Sequence, residues 1–383
     1  MRAIVNGKIL FAEQVIENKA LLFEEQIKGI VDVNEVPEGC EVIDAKGNYV
    51  APGFIDIHIH GYDTKDTMDG TTEAIRTIAQ GIAKNGVTSF LPTTMTMSKE
   101  EIATALEAAR TVKAEGSEGA QVLGVHMEGP YINEAFKGAQ NGKYIQAPNN
   151  EAIEFVKNYQ DIVKLITIAP EVEGAKAFIE EISHSTDIAL SMGHTKATYE
   201  QAMEGIEAGI THTTHLFNAM TPLHHRNPGV VGAALASEKV SCEMICDTIH
   251  INKGLFSLVI KAKAPDKFVL VTDCMCAGGC KDGQYALGGQ AVFVKDGSAR
   301  LEDGTLAGSI LRLNEALRNI VQNTECPVEK AIEFATINPA KTIRVDGFKG
   351  TLDTGKDADI ILFDESINVK YTINKGITIY ENN

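Results

Sequence analysis

The chain has 383 residues, 44% of them hydrophobic and 23% charged, which is enough for at least one large buried core. Its 52 Asp and Glu outnumber 35 Lys and Arg, for a formal net charge of -17. That balance argues against a nucleic-acid footprint, which needs clustered positive charge to displace phosphate counterions; a local basic pocket for a small anion remains compatible with it.

The 7 cysteines are odd in number, and Cys274, Cys276 and Cys280 crowd one segment. Both features suit a reducing compartment better than a disulfide framework. The amino terminus alternates apolar and charged residues without a signal peptide's apolar stretch, and no run approaches the roughly 18 apolar residues of a membrane span. A cytoplasmic protein with no membrane partner is expected.

Residues 1–50 read as short strands at Ala3–Val5, Ile9–Phe11, Ala20–Phe23, Ile27–Val33 and Glu41–Asp44, with Gly7, Gly29 and Val36-Pro37-Glu38-Gly39 as turns. Residues 345–383 behave alike, with an apolar run through Asp357–Asp364, then Val369–Ile373 and Ile377–Tyr380 around the turn Asn374-Lys375-Gly376. Neither end has enough apolar surface for a domain of its own, so the two are expected to join in one small β-structure.

Residues 51–344 change character. Strands are predicted at Phe54–Ile59, Val87–Pro92, Val122–His126, Val163–Ile168, Ile188–Ser191, Thr211–Leu216, Cys242–Cys246 and Phe268–Val271. Helices are predicted at Thr71–Asn85, Lys99–Glu115, Ala152–Tyr159, Gly174–Ser183, Thr198–Gly209 and Lys253–Ala262, then Leu311–Gln322 and Pro327–Ile337. Periodicity alone leaves an open sheet possible, but eight strand–helix alternations favour a closed (β/α)₈ barrel of the TIM type. The segment 277–308 interrupts the last unit; its Gly-rich turns and Ala291-Val292-Phe293-Val294 predict an inserted β-hairpin.

The chemistry lies in where the polar residues fall. His58 and His60 end the first barrel strand, and the two-residue period puts both on one face, able to converge on a metal. Glu128 follows the third strand, His194 follows the fifth, His215 lies at the end of the sixth and Asp273 follows the eighth. Each alone reads as well as a satisfied structural residue or a cap. Together they mark the C-terminal strand ends, where barrel active sites gather. Thr221-Pro222-Leu223-His224-His225-Arg226-Asn227 is unusually basic for this acidic chain, and the Arg226 guanidinium matches phosphate oxygens bidentately.

The motifs Pro52-Gly53-Phe54-Ile55-Asp56-Ile57-His58-Ile59-His60-Gly61, His126-Met127-Glu128-Gly129-Pro130, Gly193-His194-Thr195, His215-Leu216-Phe217-Asn218-Ala219-Met220, Thr272-Asp273 and Gly355-Lys356-Asp357-Ala358-Asp359 span nearly the whole chain. They resemble those of the N-acetylglucosamine-6-phosphate deacetylase family, within the amidohydrolase superfamily. The resemblance implies a (β/α)₈ hydrolase barrel over 51–344 and a small β-sandwich from 1–50 and 345–383. It implies that Glu128, His194 and His215 hold the principal divalent metal and that Asp273 is the catalytic acid/base. Retention of His58 and His60 resembles members with a two-metal site bridged by Glu128. Zn²⁺ or Fe²⁺ is expected, with Mn²⁺ or Co²⁺ compatible.

By the same resemblance the substrate is a phosphorylated amino sugar, N-acetyl-D-glucosamine 6-phosphate, in amino-sugar catabolism and cell-wall sugar recycling. Its contacts are Ala139, Gln140, Asn218, Ala219, Arg226, His250, Leu306, Ala307 and Gly308, and the chain forms a homodimer whose partner copy is able to supply Arg226 or His250. Gln140 stands where some members carry a histidine that polarises the acetyl carbonyl; an amide donates a hydrogen bond there but carries no charge. Cys274 and Cys276, in the segment that ends at Cys280, read as small buried residues behind Asp273, with soft-metal ligation as the alternative. Competing readings are a cyclic-amide hydrolase, a deaminase or an N-acyl-amino-acid deacylase, none of which needs a phosphate group at Arg226, and a non-catalytic binding protein on the same fold.

Overall fold

The computed structural model describes residues 1–382. Its central sheet runs in chain order through Phe54–Ile59, Val87–Thr94, Val125–Glu128, Val163–Ile168, Ala189–Met192, His212–Thr213, Ser241–Ile245 and Phe268–Val271, all parallel. Gln121–Val122, also paired with Val87–Thr94, is a first piece of the third strand position, broken before Val125. The ring closes just past the last strand. There the Asp273 N–H donates to the His58 carbonyl and the His60 N–H to the Cys274 carbonyl, each at 2.8 Å, and Thr272 Oγ1 donates to Asp56 Oδ2 at 2.7 Å.

Strands such as Phe268–Val271 are buried on both faces, one against the barrel interior and one against helices, which is why they read as unbroken apolar runs. The helices around them bury one stripe. Lys99–Glu115 turns Ile102, Ala105, Leu106, Ala109 and Val112 inward and starts at a Ser98–Glu101 capping box. Tyr199–Ala208 has Thr198 as N-cap and stops at Gly209, whose φ of 136° suits glycine.

Four expectations change. The sixth strand is only His212–Thr213, because His215, Phe217 and Ala219 adopt left-handed φ values of 29°, 78° and 48° that turn the chain out of the sheet. A helix at Gly229–Ala236 follows it; nearly all its residues are buried, so no polar face marks its period. The helix expected at Pro327–Ile337 is three short ones, with a break at Thr336. The inserted hairpin is a three-stranded antiparallel sheet of Gly283–Leu287, Gln290–Lys295 and Ser298–Arg300. No described helix is long and apolar enough to cross a membrane.

Strands from both termini share a six-stranded sheet, in the order Ile377–Glu381, Val369–Asn374, Ile360–Phe363, Tyr49–Pro52, Lys8–Phe11 and Gln14–Ile16, joined where Ile360–Phe363 pairs with Tyr49–Pro52. A four-stranded sheet of Ile27–Asp32, Lys19–Phe23, Arg2–Val5 and Glu41–Asp44 shares a core with it through Ile4, Ile9, Leu21, Phe23, Val50, Ile360 and Ile373.

A buried lysine links these sheets to the barrel. Lys349 is fully buried; its Nζ lies 2.7 Å from Asp359 Oδ2, 2.8 Å from Asp357 Oδ2 and 2.7 Å from Gln121 Oε1. Aspartates of the closing Gly-Lys-Asp-Ala-Asp motif therefore hold a lysine. Lys349→Met leaves two buried carboxylates unpaired and should cost about 3–5 kcal/mol. The urea midpoint measures it; an unchanged midpoint would contradict this account of the joint.

Candidate metal centre

At the mouth formed by the C-terminal strand ends, six polar side chains meet, all buried. His58 and His60 alternate past Ile59 and so face the same way. Glu128 is the last residue of its strand, while His194, His215 and Asp273 each lie two residues past theirs. Those three have φ values of 48°, 29° and 49°, a conformation that costs a non-glycine residue roughly 1–3 kcal/mol and persists only where surrounding contacts enforce it. The turns swing the side chains back over the barrel axis.

Two groups of three ligand atoms result, His58/His60/Asp273 and Glu128/His194/His215, each with its atoms within 4.8 Å of one another. Glu128 Oε1 lies 3.1 Å from His215 Nε2, 3.2 Å from His194 Nε2 and 3.4 Å from His58 Nε2. Its Oε2 lies 3.2 Å from His60 Nε2, and Asp273 Oδ1 lies 3.2 Å and 3.4 Å from the Nε2 atoms of His60 and His58. Ligands about 2.1 Å from one ion stand roughly 3.0 Å apart at octahedral corners and about 3.4 Å apart at tetrahedral ones. The observed separations fit that range.

Tautomers provide an independent test of fit. His58 Nδ1 faces Glu243 Oε1 at 2.7 Å, His60 Nδ1 the Thr93 carbonyl at 3.2 Å and His194 Nδ1 the Phe136 carbonyl at 3.0 Å. These partners accept, so the ring proton sits on Nδ1 and each Nε2 presents a bare lone pair to the carboxylates. His58 Nε2 is buried with no hydrogen-bond partner. Lone pairs gathered this way require positive charge between them. Burial opposes charging these rings, yet Glu243, Asp273 and Glu128 hold His58 well above its ordinary pKa, and Asp273 and Glu128 take His60 to about 10. A divalent cation supplies that charge without protons, so the donor atoms of each group fit a divalent ion.

A layer of polar residues lies beneath the mouth, with no motif in the sequence to mark it. Glu243, within the strand Ser241–Ile245, contacts His58, His212 and the His215 N–H; Asp56 accepts from Thr272 and the His58 N–H. Burial takes the Asp56 carboxyl up to about 7 despite those bonds. The available signal was a charged residue interrupting an apolar strand, Cys242-Glu243-Met244.

A cleft of about 220 Å³ opens over the ligands, lined also by Ala139, Gln140, Asn218, Ala219, His250, Leu306 and Gly308. Gln140 Oε1 accepts from the Thr96 N–H at 2.7 Å and its Nε2 donates to Glu128 Oε2 at 2.5 Å. His250 Nδ1 is 2.6 Å from Asp247 Oδ2, a second contact absent from the sequence reading, which leaves its Nε2 for the cleft. Ala307 packs behind the wall in the core of the inserted sheet. Arg226 is exposed and outside this lining, its Nη1 2.7 Å from His225 Nε2. Cys274, Cys276 and Cys280 are free and join neither ligand group; Cys276 Sγ donates to the Ala286 carbonyl, and burial pushes the Cys274 and Cys276 thiols up.

Comparison with known proteins agrees with this geometry. The Amidohydrolase family profile matches residues 49–379. N-acetylglucosamine-6-phosphate deacetylase of Lysinibacillus sphaericus is 38% identical over 90% of this chain and 89% of its own, and N-acetylgalactosamine-6-phosphate deacetylase of Escherichia coli O157:H7 is 33% identical over 94% and 96%. The crystal structure of N-acetylglucosamine-6-phosphate deacetylase from Pasteurella multocida superposes with a TM-score of 0.95 over 100% of both chains at 33% identity. With two metal-fitting groups at the mouth of the same barrel, the chain belongs to the N-acetylglucosamine-6-phosphate deacetylases of the amidohydrolase family.

Proposed function

We propose that this chain hydrolyses the acetamide of N-acetyl-D-glucosamine 6-phosphate to D-glucosamine 6-phosphate and acetate, a metal-dependent step of amino-sugar catabolism. One observation carries the reading: Glu128, His194, His215 and Asp273 meet at a buried cleft in a chain 38% identical to a deacetylase of that name.

An amide is a poor electrophile with a poor amine leaving group, so its hydrolysis needs an activated water, a polarised carbonyl and a proton for nitrogen. Glu128, His194 and His215 would hold a divalent ion, with His58 and His60 for a second, and such an ion would acidify water and stabilise charge on the oxyanion. Zn²⁺ or Fe²⁺ suits the imidazole-rich set best, with Mn²⁺ or Co²⁺ compatible.

Asp273 handles the proton. Burial pushes its carboxyl up, but positive charge at His58 and His60, as ring protons or as a cation in their place, outweighs that and keeps it below its ordinary pKa, ionised. As a carboxylate it accepts a proton from the attacking water, and it returns that proton to nitrogen as the C–N bond breaks. Gln140, anchored by Thr96, holds Glu128 with one amide hydrogen and has a second for the acetyl oxygen. Asp273→Asn should retain the ion of the Glu128/His194/His215 group while kcat falls by roughly 10²–10⁴-fold. Metal analysis alongside initial rates checks it; near-normal turnover would remove Asp273 from this role.

His250 and Arg226 read the phosphate, while Ala139, Asn218, Ala219, Leu306, Ala307 and Gly308 contact the sugar and acetyl group. Arg226 lies outside its own chain's cleft, which supports a homodimer whose copies exchange this arginine. Free thiols support a cytoplasmic location, and the division into a terminal sandwich and a hydrolase barrel over 51–344 completes the reading.

Two assays test the substrate site. Acetate release should strongly prefer the 6-phosphorylated sugar, and Arg226→Ala should raise KM roughly 10- to 100-fold; equal rates with and without phosphate would contradict the assignment. Co-expressed Arg226→Ala and Asp273→Asn chains should regain activity in mixed dimers, each with one intact site. No recovery would place Arg226 in its own chain's cleft. Because a relative 33% identical is named for the galactosamine epimer, N-acetylgalactosamine 6-phosphate belongs in the same assay.

A further inference from the structure

Glu243 is fully buried in the barrel interior, between Cys242 and Met244 on a strand buried throughout. An unpaired carboxylate there would be costly, so its partners are informative. Oε1 lies 2.7 Å from His58 Nδ1 and accepts the His215 backbone N–H at 2.7 Å; Oε2 lies 3.1 Å from His212 Nε2.

The two contacts on Oε1 reach different halves of the centre. In the His58/His60/Asp273 group, Glu243 fixes the His58 tautomer, so that the bare Nε2 faces Glu128 and Asp273. It also sets the ring's angle, which lies edge-on to His126 at 4.6 Å between centroids. In the Glu128/His194/His215 group, it holds the backbone of a residue at φ 29°, a left-handed conformation. The Leu216 N–H also bonds the Glu243 carbonyl at 2.9 Å, so side chain and backbone of one residue pin both sides of that turn. A histidine ligand whose second nitrogen meets a carboxylate is better oriented and more basic, and loss of such a partner costs about 10- to 100-fold in ion affinity.

We propose that Glu243 is a positioning residue shared by both ligand groups, fixing the His58 ring in one and the strained His215 turn in the other, so that its loss weakens ion binding in both together. The inference rests on reading the two groups as metal sites. It extends that reading by making their affinities depend on one carboxylate that touches neither ion.

The test uses the full chain, stripped with a chelator and titrated with Co²⁺, whose visible absorption reports ligand geometry, and with Zn²⁺ against a chromophoric competitor. Wild type should bind two ions. Glu243→Gln keeps an oxygen for His58 and His215 but loses the charge and forces His212 to move its proton to Nδ1, which has no partner. Both affinities should then fall about tenfold, and up to 100-fold in Glu243→Ala, with altered Co²⁺ spectra. Should the alanine variant fail to fold, the glutamine variant decides. In a His58→Asn background, Glu243→Gln should leave the His60/Asp273 ion unchanged and still weaken the His194/His215 ion.

Two wild-type-like affinities in Glu243→Gln, or weakening of only one, would overturn the proposal. A wild type that takes up no ion would sink the metal reading itself, and one holding a single ion would sink the shared role. A merely structural role would lower the urea midpoint of the metal-free protein and leave the affinities of folded protein alone.

Discussion

Around the Glu128 carboxylate, four imidazole nitrogens lie within 3.4 Å, and Asp273 faces two of the same rings. These atoms are electron-rich, buried, and aimed at one another. Without intervening positive charge the arrangement repels itself; with it, every lone pair has a partner. The rest of the architecture holds this set together against its own repulsion until a cation resolves it.

Each part of the fold contributes to that restraint. Barrel closure puts the first strand beside the last, so the backbone bond from Asp273 to His58 sets the spacing of two site residues directly. Left-handed turns at His194, His215 and Asp273 store strain where the chain leaves the sheet, as is common at functional sites. The polar layer below, Glu243 and Asp56 above all, ties those turns and rings to the barrel interior. The same turns end the sixth strand after two residues and lead into the loop of Arg226, which stays outside the cleft lining.

The parts of this plan legible in sequence have a short period or a local signature. Alternation placed His58 and His60 on one face, strand–helix alternation gave the barrel, and capping residues located the helix Tyr199–Ala208. What escaped has no local signature. Glu243 reads as one charge in an apolar strand, and only the closed barrel shows which rings it meets. The helix Gly229–Ala236 is buried nearly all round and has no polar face to reveal its period. The length of the sixth strand depends on backbone angles that His215, Phe217 and Ala219 adopt only under tertiary restraint. His250 was named by likeness, but the Asp247 carboxylate that orients it became visible only in space.

The central claim is that these buried lone pairs converge on metal. The most direct measurement is anomalous diffraction from crystals of the protein grown without added chelator, at the absorption edges of zinc and iron. A peak is expected within about 2.0–2.3 Å of Glu128, His194 and His215 together, beside the Asp273 carboxylate. A map with no anomalous density there, and with the three side chains hydrogen-bonded among themselves around water, would contradict it.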